Sequence, residues 1–353
     1  MSTENEELPF IPATVVRQNA MNTKLKARTA EAAIRKFIPE QLQFWPDDRR
    51  AIANELARSA LFQCRNDKEP RAYLDNVELF VLGEGAMTYK GEELRTRDED
   101  LFVTFAHCAR DMPSGKMIVR ITSSEICRMN GWRQAQPYYK LIFESIQRMK
   151  GGVITVFSKR LAKALKCQRA LDAGASEEEL AKLYDELEAF ECAEKSLLTM
   201  EERGEEVGGI MVSLISGDPT FTGGSGVKDG IPQGNLSWEI TLDKKLVSLF
   251  AQPYRTLVDF ETRKELSGTG KRLQAYYLSH KKPHDVKLRS LEKMLGRQNQ
   301  SLAALKFQIA AELRILQEKG DIWEFDFKKS ADGTDWLVSV VRDRPEPKKD
   351  SPK

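Results

Sequence analysis

The sequence predicts an α+β protein of two tandem winged-helix domains, each a helix-turn-helix with a β-wing, and a helical insertion in the first. Two observations predict this fold. The order helix, short strand, two helices and β-hairpin can be read twice along the chain. Two basic segments also coincide with the two predicted helix pairs. We expect the first domain at 46–250 and the second at 251–345.

The composition is that of a globular protein without a membrane anchor. Of the 353 residues, 41% are apolar and 31% are charged, and no apolar run approaches the length of a membrane span. The N-terminal MSTENEELPF has acidic residues where a signal peptide has basic ones. The 5 cysteines form no CxxC pair, which favours a reducing compartment. We therefore expect a cytoplasmic protein.

The net charge of +2 conceals a strong partition along the chain. Residues 107–150 contain 8 Lys and Arg against 3 Asp and Glu, and residues 271–306 contain 9 against 2. Between them, residues 158–206 contain 8 against 13. Basic segments attract polyanions because binding releases condensed counterions. The partition therefore indicates nucleic acid as the partner.

Hydrophobic periodicity and turn residues predict the elements of the first domain. They are a helix over 52–61 capped by Asp47 or Asp48, a hairpin over 77–94, a helix over 98–110, a strand over 117–122, helices over 123–130 and 137–149, and a strand over 153–157. Residues 158–206 are an acidic helical insertion, either solvated or a partner-binding arm. Residues 217–235 are rich in glycine and predict a flexible loop.

The second domain is predicted by the same signals, and the chain ends are expected to be disordered. The elements are helices over 268–280, 284–295 and 301–318, then a hairpin over 323–341 around Asp332-Gly333. Residues 1–45 predict a flexible leader with one short helix, and 346–353 a disordered tail.

The search for catalytic or metal-binding residues finds none. ELSGTGKR (265–272) lacks the first glycine and the final Ser or Thr of a phosphate loop, so Ser267 is better interpreted as a helix cap. His280 and His284 have metal-ligand spacing, but Pro283 interrupts their helix. The tyrosine pairs 138–139 and 276–277 have core periodicity and lack a histidine cluster for a nicking reaction. We predict no catalytic residue, metal or cofactor.

DNA binding is the remaining function, carried by the second helix of each pair and the residues before it. Gln, Asn and Arg suit contacts with base edges, whereas Lys suits phosphate. In the first domain the candidates are Arg133, Gln134, Gln136, Tyr138, Lys140, Gln147 and Arg148. In the second they are Lys271, Arg272, Lys281, Lys282, Lys287, Arg289, Arg297, Gln298, Asn299, Gln300, Lys306, Gln308 and Arg314. The alternative for each is an ordinary solvated side chain.

Several blocks of the sequence resemble the TrfA-type plasmid replication initiators. They are WPDDRRAIANELARSALFQCRN, TYKGEELRTRDEDL, MIVRITSSEICRMNGW, YYKLIFESIQRM, VSLFAQPYRTLVDFETRKELS and AYYLSHKKPHDVKLRSLEKMLG, in this order. The resemblance covers roughly residues 41–157 and 210–325, while 158–206 has no counterpart.

The resemblance implies two winged-helix domains that bind direct repeats, called iterons, in double-stranded plasmid origin DNA. It implies opening of an adjacent A+T-rich segment, exposing single-stranded DNA, with help from the host initiator DnaA. It further implies recruitment of the replicative helicase and a monomer–dimer equilibrium. A transcriptional repressor built from the same domains, or a rolling-circle nicking enzyme, are the alternatives.

The peptide QLQFW just ahead of the WPD segment has two interpretations. In the resembling family a motif of the type QLxLF at this place binds the replicative sliding clamp. Gln41 and Leu42 match its start, whereas Phe44 and Trp45 stand where Leu-Phe would be. The peptide either docks on the clamp or packs beneath the first domain.

Overall fold

The protein mixes helices and sheets around two main hydrophobic cores. The structure is a computed structural model that describes residues 41–344, apart from 43, 111, 113–116, 177, 184–207, 252–253 and 298. The larger core includes Phe62, Phe102 and Phe250, and the second includes Leu291, Leu305 and Leu313. No helix in these described ranges is both long and apolar enough to cross a membrane.

The part of the chain up to residue 250 forms helices and several sheets, of which the two largest have four and three strands. Its elements are β1 Arg49–Ala53, α1 Asn54–Ala57, β2 Phe62–Gln63, β3 Tyr73–Leu79, β4 Ala86–Glu92, β5 Leu94–Arg95, α2 Thr96–Ala109, β6 Ile118–Thr122, α3 Ser123–Met129, α4 Gln136–Gly151, β7 Val153–Ser158, α5 Lys159–Asp172, β8 Gly208–Val212, β9 Ile215–Gly223, β10 Gly226–Lys228, β11 Ile231–Gln233, β12 Leu236–Leu242 and a 3-10 helix Lys244–Phe250. One sheet has the order β3-β4-β7-β8 and another the order β6-β12-β9.

The second half has a simpler arrangement with one three-stranded sheet. Its elements are β13 Arg255–Asp259, α6 Phe260–Glu265, α7 Gly268–Leu278, β14 Val286–Lys287, α8 Leu288–Met294, α9 Leu302–Glu318, β15 Glu324–Lys329 and β16 Trp336–Val341. The sheet has the order β14-β16-β15, all antiparallel.

The same element order occurs twice, as the sequence predicts. We call α2 to β12 (96–242) the first module and α7 to β16 (268–341) the second module. Each has a helix, a strand, two helices and a hairpin, and each sheet places the last strand between the other two. In the first module, β7, α5 and β8 intervene between the helix pair and the hairpin, and β7 and β8 belong to the four-stranded sheet.

Local capping signals determine where the helix pairs begin and turn. The Thr122 hydroxyl accepts from the Glu125 backbone N–H, and the Glu125 carboxylate accepts from the Thr122 backbone, forming a capping box. The Ser301 hydroxyl caps α9 in the same way by accepting from the Ala304 N–H. Gly131 ends α3 with a φ of 69°, a left-handed conformation that costs glycine little.

Two of the predicted elements are wrong. Residues 217–235 are not a flexible loop, because β9 pairs with β12 and β10 pairs with β11. Their glycines form tight turns, as at Gly224 and Gly234 with φ of 86° and 84°, and a Cβ at Gly224 would lie 2.6 Å from the Gln233 carbonyl oxygen. The predicted helix over 52–61 is instead strand β1 with the four-residue α1, because β1 pairs with the distant β13.

Several predicted segments lie outside the described residues. They are the leader 1–40, most of the insertion after residue 183, and the tail 346–353. The described part of the insertion begins with α5, and Cys167 of α5 forms a small buried cluster with Leu180.

The two halves are joined by backbone pairing as well as side chains. Strand β13 lies in the predicted second domain, yet it pairs with β1 over five residues. The Cys64 N–H donates to the Leu295 carbonyl at 2.8 Å, and the Arg58 guanidinium donates to the carbonyl of Ser279 at 2.5 Å. These bonds hold the second module against the segment that precedes the first.

Candidate nucleic-acid interface

Helix α4 presents one exposed polar face in the first module. It buries Ile142, Ile146 and Met149, which recur at helical spacing, against the larger core. Four of the seven predicted contact residues of this module are exposed: Arg133, Gln134, Lys140 and Gln147. This mixture of cations and amides can donate hydrogen bonds to phosphates and to base edges.

Two predicted contact residues instead support the module's own structure. The Gln136 amide donates to the Pro232 carbonyl at 3.3 Å and accepts from the Gly234 N–H at 2.8 Å. It therefore fastens the β10–β11 tip to the start of α4. The Tyr138 ring is half-buried and stacks on Trp132 with ring centroids 5.9 Å apart.

Arg148 is buried, and its prediction as a DNA contact is wrong. Its Nη2 lies 3.0 Å from the Asp98 carboxylate, which also accepts from Ser145 and Arg71. Because the carboxylate is fully buried on α2, these partners offset the cost of removing it from water. The periodicity of α4 alone cannot show that an acid of another helix lies beneath its edge.

Arg272 and Lys271 are also withdrawn from the surface. The Arg272 guanidinium donates to Glu99 at 2.6 Å, and the Lys271 ammonium donates to Asp100 at 2.6 Å. Arg263 completes the group by contacting both acids at 2.9 and 3.3 Å. These five residues form what we call the ion cluster between α2, α6 and α7. The sequence prediction of a basic outer face for α7 is therefore wrong.

Glu99 of the ion cluster is held in its charged form despite its burial. Burial opposes ionisation of Glu99, but Arg272 and Arg263 outweigh it and hold the pKa of this carboxyl below its ordinary value. Arg272 also donates to the carbonyls of Leu56, Ala57 and Ser59. The cluster therefore ties the first module, the second module and the segment before them together.

The second module exposes a separate set of polar residues. Those predicted residues that lie fully exposed are Lys281, Lys282, Lys287, Asn299 and Arg314. Asn299 has a φ of 64° in the turn between α8 and α9, a conformation that asparagine tolerates. The lysines lie before and within β14, where they can contact a phosphate backbone.

The remaining predictions in the second module are occupied by internal contacts. Arg297 donates to the Cys64 carbonyl at 2.9 Å and to Gln308 at 2.5 Å, and Arg289 donates to Glu292 and to the Gln300 carbonyl. The side chains of Arg289, Arg297 and Gln308 therefore brace the turn, whereas Gln300 takes part through its backbone carbonyl. Gln298 lies outside the described residues.

Lys306 and the wing form a small aromatic and cationic group. The Lys306 ammonium lies 3.2 Å from the Trp336 ring centroid, and the side chain is half-buried rather than fully exposed. Lys328 and Lys329 of β15 are exposed beside it, and the sequence analysis did not select them. The sequence feature that could have indicated them is a pair of consecutive lysines on a strand of the predicted wing.

Phe307 is the other residue that the sequence analysis missed. It lies between Lys306 and Gln308 on α9, yet its ring is 76% exposed. Its exposure could have been predicted from helical spacing. The core stripe of α9 is Leu305, Ile309 and Leu313, and residue 307 lies on the opposite side of the helix.

In the described ranges, Tyr276 packs edge-on against both Tyr277 and His280. No group of three or more His, Cys, Asp or Glu that could hold a metal occurs there. Tyr276 and Tyr277 are buried, and burial raises the pKa of Tyr276 to about 12.

Comparison with known proteins identifies the relatives of this chain. The family model described as TrfA protein matches residues 13–179. The plasmid replication initiator protein TrfA of Escherichia coli is 25% identical over 278 residues. This chain is similar to the TrfA-type plasmid replication initiators over part of its length. The alignment covers 78% of this chain and 59% of that relative, so the TrfA resemblance predicted from the sequence blocks is confirmed.

Two solved structures of RctB also align with this chain. A selenomethionine crystal structure of RctB domains 2 and 3 has a TM-score of 0.49 at 13% identity, and covers 83% of this chain and 99% of that one. A second crystal structure of the same domains has a TM-score of 0.46 at 14% identity, with coverages of 80% and 94%.

Two of the four described residues of the QLQFW peptide, Leu42 and Trp45, belong to the larger core. Leu42 and Trp45 are 2% and 1% exposed, while Phe44 is 70% exposed and Gln41 is also exposed. The Trp45 indole donates to the His107 ring at 3.0 Å, and Arg110 donates to the Trp45 carbonyl. The structure thus favours packing beneath the first module, because clamp binding would require Leu42 and Trp45 to leave the core.

Proposed function

We propose that this protein is a plasmid replication initiator that binds iterons in double-stranded origin DNA. The observation that carries the proposal is the repeated helix, strand, helix pair and hairpin, each with an exposed face on its second helix. The relationship to TrfA supports the replication role. Each module acts as a winged helix, with α4 or α9 in the major groove and a hairpin as the wing.

Two linked modules suit a repeated or extended site. Once one module is bound, the other is held near its own half-site, which raises its effective concentration. Exposed Lys281, Lys282 and Lys287 hold phosphates in the second module, and Lys328 and Lys329 extend this surface on the wing. With roughly 6 to 10 phosphate contacts, affinity should fall steeply as salt rises.

The replication role extends beyond iteron binding. The protein opens an adjacent A+T-rich segment with DnaA, contacts the exposed single strand, and recruits the replicative helicase. It acts in the bacterial cytoplasm without enzymatic activity of its own, and monomers are the DNA-binding form of a monomer–dimer equilibrium. Clamp binding through Gln41, Leu42, Phe44 and Trp45 remains a proposal that requires the peptide to leave the core.

Permanganate footprinting on supercoiled origin DNA tests the proposal. The expected result is iteron protection together with reactive thymines in the A+T-rich segment when the protein and DnaA are both present. Iteron protection without reactive thymines would favour a transcriptional repressor instead. A covalent tyrosine–DNA adduct would show that the protein is a nicking enzyme, contrary to the proposal.

A further inference from the structure

Phe307 is the most exposed large apolar side chain in the described part of the protein, at 76%. Its neighbours on the outer face of α9 are also apolar: Ala303 and Ala304 are exposed, and Ala310 and Ala311 are half-exposed. Residues three or four positions apart lie on one face of a helix, so the ring and the methyl groups form one continuous strip. We call Ala303, Ala304, Phe307, Ala310 and Ala311 the methyl strip.

The methyl strip is not needed by the core of the second module. The opposite side of α9 already buries Leu305, Ile309, Leu313 and Leu316. An amphipathic helix of this kind ordinarily has polar residues on its outer face. The strip therefore points to a ligand with apolar groups.

Charges near the methyl strip favour an anionic ligand. Of the two acidic residues of α9, Glu312 is 8% exposed and accepts from the Ser267 hydroxyl at 2.5 Å, whereas Glu318 is exposed in the last turn. Exposed cations lie on α9 at Arg314 and on the wing at Lys328 and Lys329, while the exposed acids of the same wing strand, Glu324 and Asp326, lie nearer its start. The cations attract a polyanion to this part of the second module.

The chemistry of base edges determines which part of DNA fits the strip. In the major groove, thymine is the base that presents an apolar group, its C5-methyl, whereas the other bases present hydrogen-bond donors and acceptors. Alanine methyls and a phenyl ring offer no hydrogen bonds, so they can select bases only through such apolar contact.

We propose that Phe307, supported by Ala303 and Ala304, selects thymine in the second module's half-site by contacting C5-methyl groups. The inference rests on the proposed function, because it needs α9 to lie in the major groove. The first module then reads DNA differently, since α4 exposes Lys140 and Gln147, which make hydrogen bonds. The two half-sites are consequently read by different chemistry.

Deoxyuridine substitution tests the proposal, because deoxyuridine pairs like thymidine but lacks the methyl group. The full chain first selects its preferred duplex from a random pool, and each thymidine is then replaced in turn. Affinity of the unaltered protein should fall about fourfold per contacted methyl, from the transfer free energy of one CH₂-sized group. The Phe307→Ala protein should bind the thymidine and deoxyuridine duplexes with nearly equal affinity at those positions.

Two controls separate this effect from folding and from general apolar loss. Phe307→Leu keeps an apolar side chain and should retain part of the thymine preference. Met211→Ala removes another exposed apolar side chain, 64% exposed on β8, and should behave like the unaltered protein. Circular dichroism of all variants should be unchanged, because none of these side chains lies in a core.

The outcomes distinguish failure of this inference from failure of the proposed function. Sequence-selective binding that is insensitive to deoxyuridine would overturn thymine selection and leave the proposed function intact. Absence of any preferred sequence would overturn both. A Phe307→Ala protein that keeps its deoxyuridine sensitivity but sediments at lower mass would assign the strip to self-association, and would overturn the proposal.

Discussion

Asp98 is a buried carboxylate that holds a nearby arginine away from the surface predicted to face DNA. It accepts hydrogen bonds from Arg71, Ser145 and Arg148, and from the Arg95 backbone. Arg148 is thereby held inside the first module, although its helical position suggested a surface role. Arg272 is withdrawn by Glu99 in the same way. In both cases the acid comes from α2, so helical periodicity within α4 or α7 could not reveal the pairing.

The exposed side chains were easier to predict than the paired ones. Lys140, Gln147 and Arg314 lie where the period of 3.6 residues places them, opposite the apolar stripe, and Lys281 is exposed in the segment between α7 and β14. Phe307 was not assigned because its helical position predicts exposure but not the role of an exposed apolar ring. Its role depends on the charges that surround it in three dimensions.

Arg314 and Lys281 should differ in what they contribute to DNA binding. Arg314→Ala should weaken binding to the preferred duplex by about 1–3 kcal/mol and leave binding to random DNA nearly unchanged, because the side chain reads a base. Lys281→Ala should weaken both, because it holds a phosphate. Fluorescence anisotropy with the two duplexes measures this. If both variants lost the preference for the preferred duplex over random DNA equally, the assignment of Arg314 to a base and of Lys281 to a phosphate would be contradicted.

His280 should make the stability of the protein fall in mild acid. Burial, together with Arg58, lowers the pKa of this imidazole from 6.5 to about 4, and its Nδ1 lies 3.0 Å from the Tyr276 carbonyl, to which it donates. Between pH 4 and pH 6.5, the imidazole therefore binds more protons in the unfolded chain than in the folded protein. The contribution of His280 to stability is complete above pH 6.5 and is lost as the pH falls towards 4.

Urea unfolding of the unaltered protein and His280→Gln measures this effect. The stability of the unaltered protein relative to the variant should decrease by about 3 kcal/mol between pH 6.5 and pH 4. A constant difference across this range would show that the imidazole titrates normally.

At the scale of elements, helix ends and hairpins were the most predictable features. The cap at Ser301 and the Asp332-Gly333 turn use side chains and backbone angles that are encoded locally. Strand β1 was not predictable because its partner β13 is far away in the sequence, and the pairing overrides the helical period of residues 52–61. The glycines of 217–235 similarly encode turns rather than flexibility.

The ion cluster should be the most sensitive junction between elements. Glu99→Gln leaves Arg263 and Arg272 buried with reduced compensation, so the free energy of unfolding should fall by about 3–5 kcal/mol. Glu261→Gln is the matched control, because Glu261 pairs with Lys264 at an exposed position and should cost about 0.5 kcal/mol or less. Equal stability of the two variants in urea would contradict the structural role of the cluster.

At the scale of the whole molecule, the two modules are held together rather than joined by a free linker. The ion cluster joins α2 of the first module to α7 of the second, and the pairing of β1 with β13 joins the segments that precede the two modules. The charge partition in the sequence predicted two DNA-binding regions but not this junction, because two of the five residues of the ion cluster, Lys271 and Arg272, were assigned to the DNA surface. We propose that this junction lets both helices address one face of a duplex.

Hydroxyl-radical footprinting on iteron DNA tests this central claim most directly. With the unaltered protein, we expect two protected segments on one face of the duplex, roughly 10 base pairs apart. At saturating concentration, Lys140→Ala/Gln147→Ala should reduce protection at one segment, and Phe307→Ala/Arg314→Ala at the other. A single protected segment, or loss of the same segment in both variants, would contradict two modules that read DNA separately.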